Sequence, residues 1–356
     1  MKTGKISESV WKRSVLLYTD VKANEILSRP SCLGNDCTKI SAPGMVSTAY
    51  SVDTLFLKGD TIRQNGICRT VNNLAAAGMK TEVVLADILL PADAEEEQLK
   101  KLVQQLTQCT EPYGAAIAAG NVLVTEDVVR PVVTLTGIGT PMFPADKQQK
   151  VQPEQNVMQP ADKQKQKVQQ QKVRPGMDIV LSKWIGLEGS VLLLEEAFVQ
   201  LQARFAAPFL EEAKGFVRYL SVVEEAAAAM KSGAGAMHNV SEGGIFGALW
   251  EMAEASGVGL EIDLRKIPLR QHTVEICEAL GLNPYGLISG GCLLMAAENG
   301  AALAADLKKQ NIAATVIGRA TRGKARILYN DGETRYLERP QQDEWYRFLG
   351  KEKSEE

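Results

Sequence analysis

Residues 144–174 limit what this chain can fold into more than any other stretch. They are dominated by glutamine and lysine, and PADKQQKVQ at 144–152 returns as PADKQKQKVQ at 160–169. So few apolar side chains cannot offset the entropy of ordering a backbone, so the segment reads as a duplicated, solvated insertion. It divides the 356 residues into globular stretches at 1–143 and 175–330, with an extension at 331–356. Two domains are what such a length predicts, because single cores stop growing near this size.

Both stretches alternate helical and strand patterns. The first predicts a helix over 5–28, a strand over 45–57 and a helix over 60–78 stopped by Gly78. EVVLADILL, ended by Pro91, reads as a strand. A periodic helix follows over 93–111, with Leu99, Leu102, Val103 and Leu106 on one side. AAIAAGNVLVT and VVTLTGIG give two more strands. In the second stretch DIVLSKWIG, GLEIDL, CLLMAAE and ATVIGRAT read as strands. Helices are expected over 187–203, near 209–214, over 218–231 and over 245–256. The last places Ile245, Ala248, Leu249, Met252 and Ala255 on one face. The pattern predicts an α/β (α+β) protein. The terminal KEKSEE is charged and reads as frayed.

Composition removes several functions. A net charge of -3 and a pI near 5.7 leave no electrostatic footprint for nucleic acid or an anionic membrane. No apolar run is long enough to span a bilayer, and the N-terminus lacks the apolar stretch of a secretory signal, so a cytoplasmic protein is expected. The six cysteines are scattered, which argues for reduced thiols. Cys32 and Cys37 with two distant histidines do not make a zinc pattern. There is no P-loop, dinucleotide fingerprint or nucleophile elbow.

Four segments carry chemistry. In Gly34-Asn35-Asp36-Cys37-Thr38 a glycine turn presents a carboxylate that could hold Mg²⁺ on a phosphate, although an ordinary Asx turn explains it equally well. Asn72 and Asn73 lie side by side in a helix, where propensity disfavours them. Either they satisfy nearby backbone or they mark a site. Lys183-Trp184-Ile185-Gly186-Leu187-Glu188-Gly189 can present Lys183 and Glu188 at a strand's carboxyl end, where α/β sheets bind ligands. In His238-Asn239-Val240-Ser241-Glu242-Gly243-Gly244, Ser241 can cap the helix that follows. The free N–H groups there suit a phosphate, or the turn is simply a capped helix start.

In order, these segments resemble the aminoimidazole ribonucleotide (AIR) synthase superfamily, nearest in look to its hydrogenase maturation branch, HypE. The resemblance covers nearly the whole chain except the insertion. HNVSEGGIFGALWEMAEASGVGLEIDL is similar to the family's His-Asp-x-Thr-x-Gly-Gly segment, and SKWIGLEGS to the opening of the second domain. The resemblance implies an N-terminal domain whose sheet pairs with its twin across a homodimer to close a β-barrel. It implies a C-terminal α/β domain beside it. It also implies ATP and Mg²⁺ in a cleft, with γ-phosphate transfer to an amide or carbonyl-type oxygen of a small substrate. Such catalysis works by positioning and charge neutralisation. Carried onto this sequence, His238, Lys183 and Glu188 are the catalytic candidates. Asp36, Asn73, Asp87, Gly120, Ser241, Gly243 and Gly244 are the nucleotide-binding ones, with Asp36 the metal ligand. A maturation-factor partner is implied too.

The chain departs from the family in its carboxylates. Asn73 stands where the family has Asp, and His238-Asn239 where it has His-Asp. Ser47-Thr48-Ala49 lacks the family's Thr-Asp pair, with Asp53 further along. Gly120-Asn121-Val122-Leu123 replaces Gly-His-Thr-Glu. Mg²⁺ wants anionic oxygens, so these changes predict weakened or lost Mg·ATP binding. The terminal KEKSEE also lacks the cysteine that carries the carbamoyl group in HypE. The alternative expectation is therefore a homologue that keeps the fold as a binding or regulatory protein.

Overall fold

A computed structural model describes residues 3–16, 27–29, 37–41, 46–56, 64–143 and 172–355. The Gln/Lys insertion and Asp36 lie outside them. Before the insertion come α1 (Glu8–Trp11), β1 (Leu27–Arg29), β2 (Thr38–Ile40), β3 (Thr48–Phe56) and α2 (Gln64–Ala76). β4 (Met79–Pro91), α3 (Glu96–Thr110), β5 (Ala116–Thr125) and β6 (Val132–Pro141) complete the first domain. Its sheet has the order β1-β2-β3-β6-β4-β5, antiparallel except for the parallel pair β4–β5.

Alternation decides what each face of this sheet does. On β4, Val84, Ala86, Ile88 and Leu90 turn inward and are fully buried with Val133 and Leu135 of β6. α2 and α3 cover that face through Ile67, Val71, Leu102 and Leu106. Each such side chain contributes about 2 kcal/mol of burial. α3 starts with a capping box in which the Glu95 N–H donates to Gln98 Oε1 at 3.0 Å. The opposite face is open: Val52 is 62% exposed and Phe56 65%.

The second domain runs β7 (Asp178–Ser182), α4 (Leu187–Glu196), α5 (Phe198–Gln202), α6 (Ala207–Lys214), α7 (Val223–Lys231), β8 (Ala236–Asn239) and α8 (Gly244–Ser256). It continues with β9 (Gly259–Asp263), α9 (Gln271–Leu280), β10 (Leu293–Ala297), α10 (Gly300–Lys309), β11 (Ala314–Thr321), β12 (Arg326–Asn330), β13 (Glu333–Tyr336) and α11 (Glu344–Glu355). The strand order is β13-β12-β9-β11-β7-β10-β8, with β12–β9 the one parallel pair. Both faces are covered. Leu294 and Ile179 face the α8 cluster, while Leu293 and Val180 face the cluster of α7 and α10.

Four expected elements change. The helix over 5–28 is a short α1 continued by a π turn to Leu16, and Leu27–Arg29 is a strand. The helix over 187–203 breaks at Ala197, and that over 218–231 begins only at Val223. The tail is helical through Glu355, because Trp345 and Phe348 bury against the second domain. No helix among the described residues is long and apolar enough to cross a membrane.

Candidate functional site

α2 belongs to the first domain but carries a polar face into the second. Asn72 Nδ2 donates to the Leu220 carbonyl at 2.7 Å, and the Val222 N–H donates to Asn72 Oδ1 at 2.9 Å. Asn73 turns the other way, donating to Ser51 Oγ at 3.2 Å and reaching Asp53 Oδ2 at 3.5 Å. Asn239, at the end of β8, donates from Nδ2 to Asn73 Oδ1 at 2.7 Å. The two adjacent asparagines that helix propensity disfavours are therefore held by tertiary contacts. Asn72 satisfies backbone, while Asn73 joins the domains.

One turn before them, Arg69 reaches across as well. Its Nη2 lies 3.3 Å from Glu188 Oε1 and its Nη1 3.2 Å from Glu242 Oε1. Glu188 is buried and accepts from the Gly290 N–H at 3.1 Å through its other oxygen. Burial raises the Glu188 pKa, opposed by Arg69. Two buried groups lack a partner here, Arg69 Nε and Asn239 Oδ1. They line one interdomain crevice, too narrow for water, with Cys68, Asn72, Leu220 and Gly290. An unsatisfied donor and acceptor around one void are a costly arrangement in a merely structural contact.

The other predicted residues are placed as follows. Lys183 has φ 51, a left-handed backbone for a non-glycine residue. Its ammonium is enclosed by Glu225 Oε1 at 2.6 Å and the carbonyls of Tyr219 and Ser221. His238 points away from Asn239, as neighbours on a strand do, and meets Glu251 Oε2 at 3.1 Å. Lys5 lies 2.7 Å from the other Glu251 oxygen. Burial opposes ionisation of Glu251, but His238 and Lys5 hold it well below the usual carboxylate range. Asp87 is exposed on the open sheet face and accepts from the Asn121 N–H at 2.7 Å. A Cβ on Gly120 would stand 2.3 Å from Asp87 Oδ1, so these two belong together and apart from Asn73.

At the glycine turn the cap is Gly243, and no side chain caps the helix. Ser241 contributes its carbonyl, accepting from the Gly244 N–H at 3.1 Å and the Ser289 N–H at 3.2 Å. Gly244 has φ +60, and a Cβ there would meet the Tyr285 carbonyl at 2.5 Å. Only glycine fits. The Gly243 N–H is taken by Asp343 Oδ2 at 2.6 Å.

The junction thus assembles Asn73 and Glu188 of the predicted residues, while Lys183, His238, Ser241, Gly243, Gly244, Asp87 and Gly120 are engaged elsewhere; Arg69, Asn239 and Glu242 are members that sequence reading missed. Arg69 had a visible signal, lying three and four residues before the asparagines on one helix face. Glu242 and Asn239 sat within a noted motif. The residues around Asn73 do not fit Mg²⁺. Among the described residues no group of three His, Cys, Asp or Glu could hold a metal. Asp53 already accepts from Thr70 at 3.0 Å, Glu188 and Glu242 are paired with Arg69, and the two asparagines bind each other.

Family models place these elements in known company. Residues 34–140 match the AIR synthase related protein N-terminal domain, and 174–330 its C-terminal domain. Carbamoyl dehydratase HypE of Rhodobacter capsulatus is 27% identical over 276 residues, 76% of this chain and 73% of that protein. A relative in Methanocaldococcus jannaschii is 26% identical over 247 residues, 69% of this chain, and the chain spans 65% of its length. The solved hydrogenase maturation protein HypE in complex with ATP superposes with TM-score 0.65 at 19% identity, covering 97% of both chains. The HypE-HypF complex gives 0.66 at 19%, covering 92% of this chain and 100% of that one.

Proposed function

This chain belongs to the AIR synthase-related family, and on that premise we propose that it is a HypE-like, ATP-dependent protein of hydrogenase-type metallocentre maturation. In this reading it transfers a phosphoryl group to an amide or carbonyl-type oxygen of a small substrate at the junction of its domains, where the crevice widens to admit them. The observation that supports it is the buried cross-domain junction, where Arg69 pairs with Glu188 and Glu242 while its Nε and Asn239 Oδ1 have no partner. Arg69 would stabilise charge on a phosphoryl group, while Glu188 orients the guanidinium from a buried position. Asn73 and Asn239 hold the two domains in register.

The protein works as a homodimer in this proposal. Val52 and Phe56 on β3 leave an apolar face that a second copy's sheet would cover, closing a barrel. A maturation factor is its proposed partner, as HypF is for HypE. The cytoplasm is its proposed place.

The test is phosphate release from ATP by the full chain, with Arg69→Ala beside it. Turnover that falls about 100-fold in the variant supports the reading. Absence of nucleotide binding at millimolar ATP ends it. A second reading has its own observation: Asn73 and Asn239 bind each other where the family sequence has acidic residues. It makes the chain a binding subunit without turnover, and ATP binding without phosphate release would select it.

A further inference from the structure

Among the described residues two arginines stand over tryptophan rings, and only one has a carboxylate. Arg326 lies 3.8 Å from the centre of the Trp250 ring, and its Nη2 meets Glu254 Oε2 at 2.6 Å. Arg270, which precedes α9, lies 3.7 Å from the centre of the Trp184 ring. The Nε of each is buried without a partner, so the carboxylate is what separates them. Arg270 has none among the described residues. A second guanidinium repeats the omission. Arg218 stands over the Tyr219 ring at 4.8 Å, also without a carboxylate, and Tyr219 meets Trp184 edge-on at 5.6 Å. The two arginines therefore share one aromatic pair.

The rings fix the guanidinium planes by cation–π attraction, so little freedom is left to lose when an acid binds. The pair itself is held firmly. Trp184 and Tyr219 pack on the core cluster of Leu187 and Phe216, and Lys183 Nζ donates to the Tyr219 carbonyl at 2.9 Å. Arg218 is exposed, while Arg270 and both rings are half-buried. His272, two residues beyond Arg270, stacks on Phe209 at 4.2 Å and has Glu212 at 3.5 Å. Trp, Tyr and Arg are the side chains in which interface energy concentrates. A net charge of -3 disfavours a nucleic-acid strand as the acid, which leaves the carboxylates of a protein. The place matters too: Leu220, next to Tyr219, accepts from Asn72 of α2, so whatever docks here abuts the domain junction.

We propose that this face of the second domain docks a partner protein through an extended acidic segment, whose carboxylates are taken by Arg270 and Arg218. Each carboxylate gives a stacked guanidinium the counter-charge that Glu254 gives Arg326. The face is the docking surface for the partner proposed above, and it rests on that reading only for the partner being a maturation factor.

Fluorescence anisotropy of labelled octaglutamate with the full chain tests it, at about 50 mM salt, where exposed charges are weakly screened. Arg218→Ala is expected to weaken binding about tenfold, and Arg218→Ala combined with Arg270→Gln about 100-fold. Arg322, exposed between β11 and β12, is the control, and Arg322→Ala is expected to change binding less than about twofold. Should the double variant not fold, the exposed Arg218 decides alone. Octaglutamate that fails to bind at millimolar concentration overturns the face, as does equal weakening by Arg322→Ala. Octathymidylate that binds more tightly than octaglutamate overturns it as well, giving these arginines to nucleic acid. A chain that binds octaglutamate but not ATP keeps the docking face and removes the proposed function. Phosphate release from ATP without octaglutamate binding does the reverse.

Discussion

The two sheets solve the same packing problem to different degrees. The second is covered on both faces, and its charges are closed off internally: Lys183 on Glu225, His238 on Glu251. The first is covered on one face and leaves Val52 and Phe56 in solvent. Where the sheets meet, α2 brings Arg69 and Asn73 to Glu188, Glu242 and Asn239. The self-contained half reads as scaffold. The incomplete half reads as the part that association and ligands finish.

Removing a lock in the scaffold should have the largest effect. Lys183→Ala strands Glu225 in the interior and is expected to cost about 4 kcal/mol in denaturant unfolding. A loss under about 1 kcal/mol would show that the second domain is less closed than its contacts imply. Arg69→Ala comes next, at about 3 kcal/mol, because Glu188 keeps only the Gly290 N–H. Its particular signature is decoupling: the two domains should then melt in separate steps by calorimetry, and one unchanged transition would contradict the junction.

On the open face, Phe56→Asp should leave the melting temperature nearly unchanged yet weaken self-association about 30-fold, or about 2 kcal/mol. Sedimentation reads this, and a wild-type monomer at micromolar concentration would remove the contrast between the faces. The smallest effect concerns Asp343, which burial pushes up to about 7. Its folded value lies above its unfolded one, so its contribution is full below about pH 4 and is lost as pH rises through 7. From pH 6 to 8 this amounts to about 1 kcal/mol. Glu242, Tyr346 and Arg69 face the same region, so the comparison is with Asp343→Asn, whose stability should change less over that window. Equal pH slopes in the two proteins would reject the assignment.

Much of the fold was legible because periodicity is local. Strands β3 to β6 of the first domain, α3 and α8 follow from alternation and from the 3.6-residue repeat, whereas β1 and β2 do not. The adjacent asparagines and the paired glycines announced unusual positions, since each breaks a local preference. The meaning of those positions was not local. Ser241 had the chemistry of a cap, yet the turn puts its carbonyl to use and leaves capping to Gly243. Lys183 and Glu188, five residues apart, separate into an enclosed pair with Glu225 and a cross-domain pair with Arg69.

The amino-acid order alone determined two α/β halves about an insertion, the family they resemble and the glycine turn, because composition and spacing act over a few residues. Tertiary structure alone decided that Arg69 spans to Glu188 and Glu242, that Asn239 meets Asn73 and that Asp343 returns to Gly243. Those contacts join residues between 100 and 173 positions apart. No local pattern records such pairs; they exist only once the hydrophobic cores have fixed the elements that carry them.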